Sequence, residues 1–170
     1  MPVSTIQNAS LASGVPSAAK LPAGSVLQVV STTKTDSFSS SSTSFVDVTG
    51  FSASITPTSA TSKILVFGNL VTNALTDSII TFQLVRGSTD ISIGGSALTF
   101  RGTIGNYLQS NTADSLISNS FNFLDSPATT SATTYKMQIK NNQARTVTVN
   151  NRPNNDASYT STITVLEIAA

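Results

Sequence analysis

The feature that most restricts what this chain can fold into is a series of short apolar clusters, cut apart by Ser, Thr, Gly and Pro, that begins at Ser25 and continues to the end of its 170 residues. The clusters fall at residues 26–30, 45–55, 64–71, 79–85, 91–100, 116–124, 135–139, 146–149 and 159–168. Each has the length of a strand, and no segment carries a convincing helical period, so an all-β sandwich of about nine strands is predicted. Two clusters alternate cleanly. Ile80, Phe82 and Leu84 oppose Thr81 and Gln83, while Tyr135, Met137 and Ile139 oppose Lys136, Gln138 and Lys140, which gives each strand one buried and one wet face.

Other clusters break the alternation in informative ways. Val46 and Val48 share one parity and Phe51, Ala53 and Ile55 the other, with Gly50 at the switch, so a bulge or bend is expected at Thr49 and Gly50. Residues 64–67 are apolar at every position, which asks for cover on both faces of that strand: by the sandwich core on one side and, on the other, by a neighbouring subunit or a second layer of the same chain. Residues 37–44 are nearly all Ser and Thr and read as a loop; Arg86, Gly87 and Ser88 read as a hairpin turn, and Asp125, Ser126 and Pro127 as the start of a turn-rich stretch. Residues 102–114 read as a long polar loop.

Chemistry has little to work with. His, Cys and Trp are absent, and Glu167 is the only glutamate. Without imidazole or thiolate, zinc and similar ions lack their usual donors, and calcium would have to draw on Asp36, Asp47, Asp77, Asp90, Asp114, Asp125 or Asp156, none in a closely spaced D-x-D loop. A serine hydrolase would lack its histidine base, and no spacing singles out a Ser-Lys pair. A glycosidase would need two aspartates to converge in space, without tryptophan platforms for the sugar. The glycine-bearing segments 93–96 and 101–105 lack phosphate-loop spacing and read as turns; Arg101 reads as an exposed cation or as a partner for a carboxylate across an interface. No catalytic residue, cofactor or metal is therefore expected.

Charge narrows the partners. The nine Lys and Arg residues are spread along a chain of net charge +1, so no basic patch is available to neutralise phosphates, and nucleic acid is not an expected partner. No apolar run approaches the ~18 residues of a membrane span, and the opening residues lack the basic and apolar regions of a signal peptide, so synthesis in the cytosol without membrane insertion is expected. Charged residues make up 10% of the chain, against a usual fraction of about 25%, which leaves hydroxyls and amides to cover the surface.

Residues 1–24 differ from the rest. Ser, Ala, Gly and Pro dominate, with Val3, Ile6, Leu11, Val15 and Leu21 as isolated apolar residues, too few to form a core. The segment reads either as a flexible leader or as an arm that orders by docking those five residues on a partner.

Taken in order, residues 21–30 (LPAGSVLQVV), 43–50 (TSFVDVTG), 55–66 (ITPTSATSKILV), 124–127 (LDSP), 132–135 (ATTY) and 161–170 (STITVLEIAA) resemble a family of bacteriophage virion proteins found in phages of cyanobacteria and other aquatic bacteria. The resemblance implies a tail-fibre or other structural protein with a jelly roll like that of tumour-necrosis-factor-type trimers, and it brings no catalytic residues. The expected organisation is an anchoring arm at 1–24 and a jelly-roll domain at 25–170, assembled as a homotrimer with Phe67, Tyr107 and Tyr159 near the axis. Two roles at the virion surface follow: a capsid decoration, cement or head-fibre protein whose arm lies on the major capsid protein, or a tail-fibre tip joined to a tail protein and facing a host receptor or glycan through loops 102–114 and 150–158. The absence of a long repetitive shaft favours the first.

Overall fold

The computed structural model describes residues 21–74, 78–95, 101–108, 116–152 and 157–170. Val3, Ile6, Leu11 and Val15 lie outside the described residues, as does the side chain of Tyr107. The strands are β1 (Val26–Lys34), β2 (Phe38–Ser40), β3 (Val46–Ile55), β4 (Lys63–Ala74), β5 (Ser78–Arg86), β6 (Thr89–Ile91), β7 (Ile104–Leu108), β8 (Ile117–Asp125), β9 (Thr133–Asn141), β10 (Val147–Val149) and β11 (Ser161–Ile168). There is no helix among the described residues.

Two antiparallel sheets form a sandwich. In the first, β4 is central, with β11 and then β1 on one edge and β8 on the other; β10 extends the β11 edge and carries β2. In the second, β9 lies between β3 and β5, and β6 and β7 share the far edge of β5. The pairs β1·β11, β3·β9, β4·β8 and β5·β7 are nested one inside the next and alternate between the sheets. That wrapping is a jelly roll.

The core is what alternation dictates in β9, whereas β5 departs from the expected wet face: Thr81, Gln83 and Val85 are buried as well as Ile80, Phe82 and Leu84. Phe82, Leu84, Tyr135, Met137 and Ile139 from one sheet meet Ile64, Val66, Phe121, Ile163 and Val165 from the other, all buried. Phe51 and Phe121 meet edge to face across the layers, centroids 6.2 Å apart at 70°. The parity change in β3 is resolved as expected. Its ladder with β9 shifts register between Asp47 and Ser52, and Gly50 takes a φ of 78° that favours glycine, so Val46 and Val48 reach the same core as Phe51, Ala53 and Ile55. The expected hairpin turn is also present: Gly87 and Ser88 join Arg86 to its partner Thr89.

Three readings need correction. The Ser/Thr run contains a strand, β2, because a three-residue edge strand beside β10 needs only Phe38 packed on the core while its hydroxyls face water. The expected strand at 91–100 is represented only by Ile91 at the end of β6, residues 92–95 being irregular and 96–100 outside the described residues. The expected loop at 102–114 instead begins with β7, whose Gly105 and Asn106 conceal a strand that exists by pairing with β5.

Candidate functional site

The surface that stands out is the outer face of the first sheet, built where β1, β11, β4 and β8 lie side by side. In each of these strands the inward positions are filled by core residues, which turns the intervening positions outward. Register then sorts the outward residues into rows. Val29, Leu166, Leu65 and Leu124 face one another in sequence across the four strands. The next row is Ser31, Thr164, Phe67 and Asn122, and the one after it Thr33, Thr162, Asn69 and Ser120. None of these twelve residues is ionisable on the acidic or basic side.

The apolar row is open to solvent at its ends, Val29 58% and Leu124 55% exposed with Leu65 and Leu166 half-buried between them, and Phe67 in the next row is 39% exposed. The strand with apolar residues on both faces is thus covered once by its own chain, at Ile64 and Val66, and left open at Phe67. No second layer of the described residues covers that face. Burying a Val, Leu or Phe side chain is worth about 1.5–3 kcal/mol, so a row of this size is a strong inducement to contact. The hydroxyls around it already satisfy one another, Ser31 with Thr164 at 2.8 Å and Thr33 with Thr162 at 3.3 Å, which lowers the cost of removing water from them.

The outer face of the second sheet is of the opposite kind. Lys136, Gln138 and Lys140 point outward from β9, and the Asp47 carboxylate accepts from Lys136 at 2.7 Å and from Gln138 at 2.8 Å. Those two hydrogen bonds hold the Asp47 carboxyl below the usual range. Lys140 also stands 4.7 Å from the centre of the Phe45 ring. This face is solvated along β3 and β9, while Thr81, Gln83 and Val85 on β5 are buried.

Several of the polar groups that penetrate the sandwich hold it together, although among the described residues the Ser62 hydroxyl and both polar atoms of the Asn73 amide are buried without a hydrogen-bond partner. Asp125 at the end of β8 accepts from Arg86 at 2.9 Å and from the buried Tyr135 hydroxyl at 2.7 Å, which ties the two sheets. Burial first, and the adjoining Asp125 carboxylate second, push the Tyr135 phenol far above its usual pKa. The fully buried Lys34 ammonium donates to Asp36 at 2.8 Å, and Asn150 donates to the Lys34 and Asp36 carbonyls. Glu167 is buried: its carboxylate accepts from Gln28 at 2.6 Å and from the Thr58 amide and hydroxyl at 2.7 and 2.8 Å. Burial alone would raise its pKa, but the polar groups of Gln28, Ser62 and Thr58 turned toward it outweigh that and leave it lowered.

Among the described residues no three acidic side chains gather to hold a metal ion. Asp36, Asp47 and Asp125 are each engaged by a cation, whereas Asp77, Asp114 and Asp156 lie outside the described residues. Arg101 donates to the Gly94 carbonyl at 3.1 Å and borders a cavity of about 350 Å³ with Phe45, Asp90 and Lys140. A second polar cavity, of about 490 Å³, is lined by Thr35, Asp36, Ser37, Asn150, Asn151, Ala157 and Ser158.

Of the residues expected near a threefold axis, Phe67 belongs to the apolar face. Tyr159 is exposed and lies five residues along the chain from Thr164, the partner of Phe67. Leu21 borders a cavity of about 250 Å³ with Leu27, Thr58, Ser62 and Ala169, which places the end of the arm beside the first residues of β1. Sequence reasoning missed Val29, Leu124 and Leu166. Their signal was present as apolar residues at outward parity, such as Leu166 between the inward Val165 and Glu167.

No family model matches the chain, and no curated protein matches it. Solved structures are similar in backbone. They include infectious bursal virus derived T=1 particles (20% identity over 84% of this chain and 36% of that one, TM-score 0.43), the Gt strain of infectious bursal disease virus (20%, 87% and 39%, TM-score 0.45) and its VP2 subviral particle (18%, 85% and 34%, TM-score 0.44). The chain spans less than two-fifths of the length of those chains.

Proposed function

We propose that this chain is a structural protein of a virus particle, with no enzymatic role: a homotrimeric capsid-decoration, cement or head-fibre protein on the virion surface. The observation that carries the reading is the exposed apolar row on the outer face of a sandwich whose buried polar groups are mainly engaged in structural pairing. Such a molecule works by contact. The ordered resemblance of most of residues 21–170 to phage virion proteins gives the kind of contact, and the arm, with Val3, Ile6, Leu11, Val15 and Leu21, supplies an anchor for the major capsid protein. Three arms on one trimer would add avidity to weak individual contacts.

A second reading, a tail-fibre tip, is favoured by the polar cavity at Thr35, Asp36, Asn150 and Ser158, whose hydroxyls, amides and carboxylate suit the hydroxyls of a host glycan. Copy number on purified particles separates the two. Copies on the order of hundreds support decoration, and roughly a dozen support the tail. Removing residues 1–20 should release intact trimers from the particle; truncated trimers that still bind capsids would show that the arm is not the anchor.

A further inference from the structure

We infer that the outer face of the first sheet is where copies of this chain associate, with Val29, Leu65, Phe67, Leu124 and Leu166 as the buried centre of the contact. The inference rests on the trimeric reading above and names its surface. Four strands at about 4.8 Å spacing and about eight residues at 3.3 Å rise make a face of roughly 500 Å² in projection, and its corrugation raises the accessible area toward the ~800 Å² per partner of a standard interface. The face also has an interface's anatomy: an apolar centre, no charge within its three rows with Lys63 at their margin, and flanking hydroxyls paired as Ser31 with Thr164 and Thr33 with Thr162. With a net charge of +1, copies approach one another without appreciable repulsion.

The leader of the same chain is a poorer occupant. An extended segment covers a face with every second residue, whereas Val3, Ile6, Leu11 and Val15 are spaced at intervals of three, five and four, so they do not form such a stripe. Around a threefold axis the two neighbouring copies instead each bring part of the same apolar face.

The absence of cysteine makes a direct test possible. Single Val29→Cys and Leu124→Cys variants of the full chain are compared with Gln143→Cys, an exposed loop control, for maleimide labelling across a dilution series alongside sedimentation of the wild type. If the inference holds, the wild type sediments as an oligomer at micromolar concentration, and the two face cysteines label roughly tenfold or more slowly than Gln143→Cys, with protection lost on dilution. The Val29→Lys/Leu124→Lys double variant, altered only at exposed positions, should be monomeric with an unchanged circular dichroism spectrum. An oligomer whose face cysteines label as fast as the control would overturn the inference while leaving the trimer intact, because the copies would then join elsewhere. Protection independent of concentration would assign the face to the leader, and a monomeric wild type would remove the trimeric reading itself.

Discussion

Replacing Glu167 by alanine should destabilise the sandwich far more than a substitution near a chain end usually does. The carboxylate holds Gln28 of β1 and both the amide and hydroxyl of Thr58 in the segment between β3 and β4, at 2.6–2.8 Å, from a fully buried position on β11. Hydrogen bonds to a charged group contribute about 1.5–3 kcal/mol each, and water entering the neighbouring cavity recovers part of the loss, which leaves a net cost of about 3 kcal/mol. For a chain of this size that corresponds to a fall in Tm of roughly 6–12 °C. Because the folded-state pKa of Glu167 is lowered, its contribution is fully present above the unfolded value of about 4.3 and is lost as pH falls through the folded value. Glu167→Gln cannot lose a proton-linked contribution, so its stability should converge on that of the wild type as the solution is acidified. Urea unfolding followed at neutral and acidic pH measures both effects. A Glu167→Ala cost below ~1 kcal/mol, or a wild-type to Glu167→Gln difference that does not change with pH, would refute the reasoning.

The other predictions concern the same framework. Gly68→Ala should cost about 1–3 kcal/mol in chemical unfolding, since its Cβ would collide with the Thr162 carbonyl oxygen and lie 3.0 Å from the Phe121 ring; an unchanged midpoint would mean that β4 and β11 can separate freely. A double-mutant cycle of Asp125→Asn and Tyr135→Phe should give a coupling of about 1 kcal/mol or more, whereas additive effects would mean that the buried hydroxyl finds another acceptor. Asp47→Asn, by contrast, should change stability by less than ~1 kcal/mol despite its short contacts with Lys136 and Gln138, because that pair lies on the wet face.

Strand identity was legible where one strand's own pattern determines it. The alternation of β9 and the parity switch at Gly50 depend on residues adjacent in sequence, and both appear in the fold as read. β2 and β7 were illegible for the complementary reason: Phe38 alone among serines, and Ile104 followed by Gly105 and Asn106, form strands only because β10 and β5 supply a ladder. The apolar row was hidden more deeply. Val29, Leu166, Leu65 and Leu124 come from four strands separated by up to 137 positions (166 − 29), and only the register between those strands aligns them. A single sequence carries the parity of each residue but not the offset of one strand against another. Glu167 was conspicuous as the only glutamate, yet its role required knowing that Gln28 and Thr58 arrive beside it.

The nesting of strand pairs also dictates an order in time. β11 lies between β1 and β4, so the first sheet is missing an interior member until the last of its strands has been made. On a translating ribosome, β1 would wait with an unpaired edge while well over a hundred residues are added and β4 while nearly ninety are, at roughly 5–20 residues per second. Those edges, together with the uncovered apolar face, make the nascent chain prone to pairing with its neighbours on the same messenger. If copies join through this face as proposed, crowding during synthesis is both a hazard and a route: the strands that mispair early and the face that joins subunits late belong to one sheet, and the arrival of β11 separates the two outcomes.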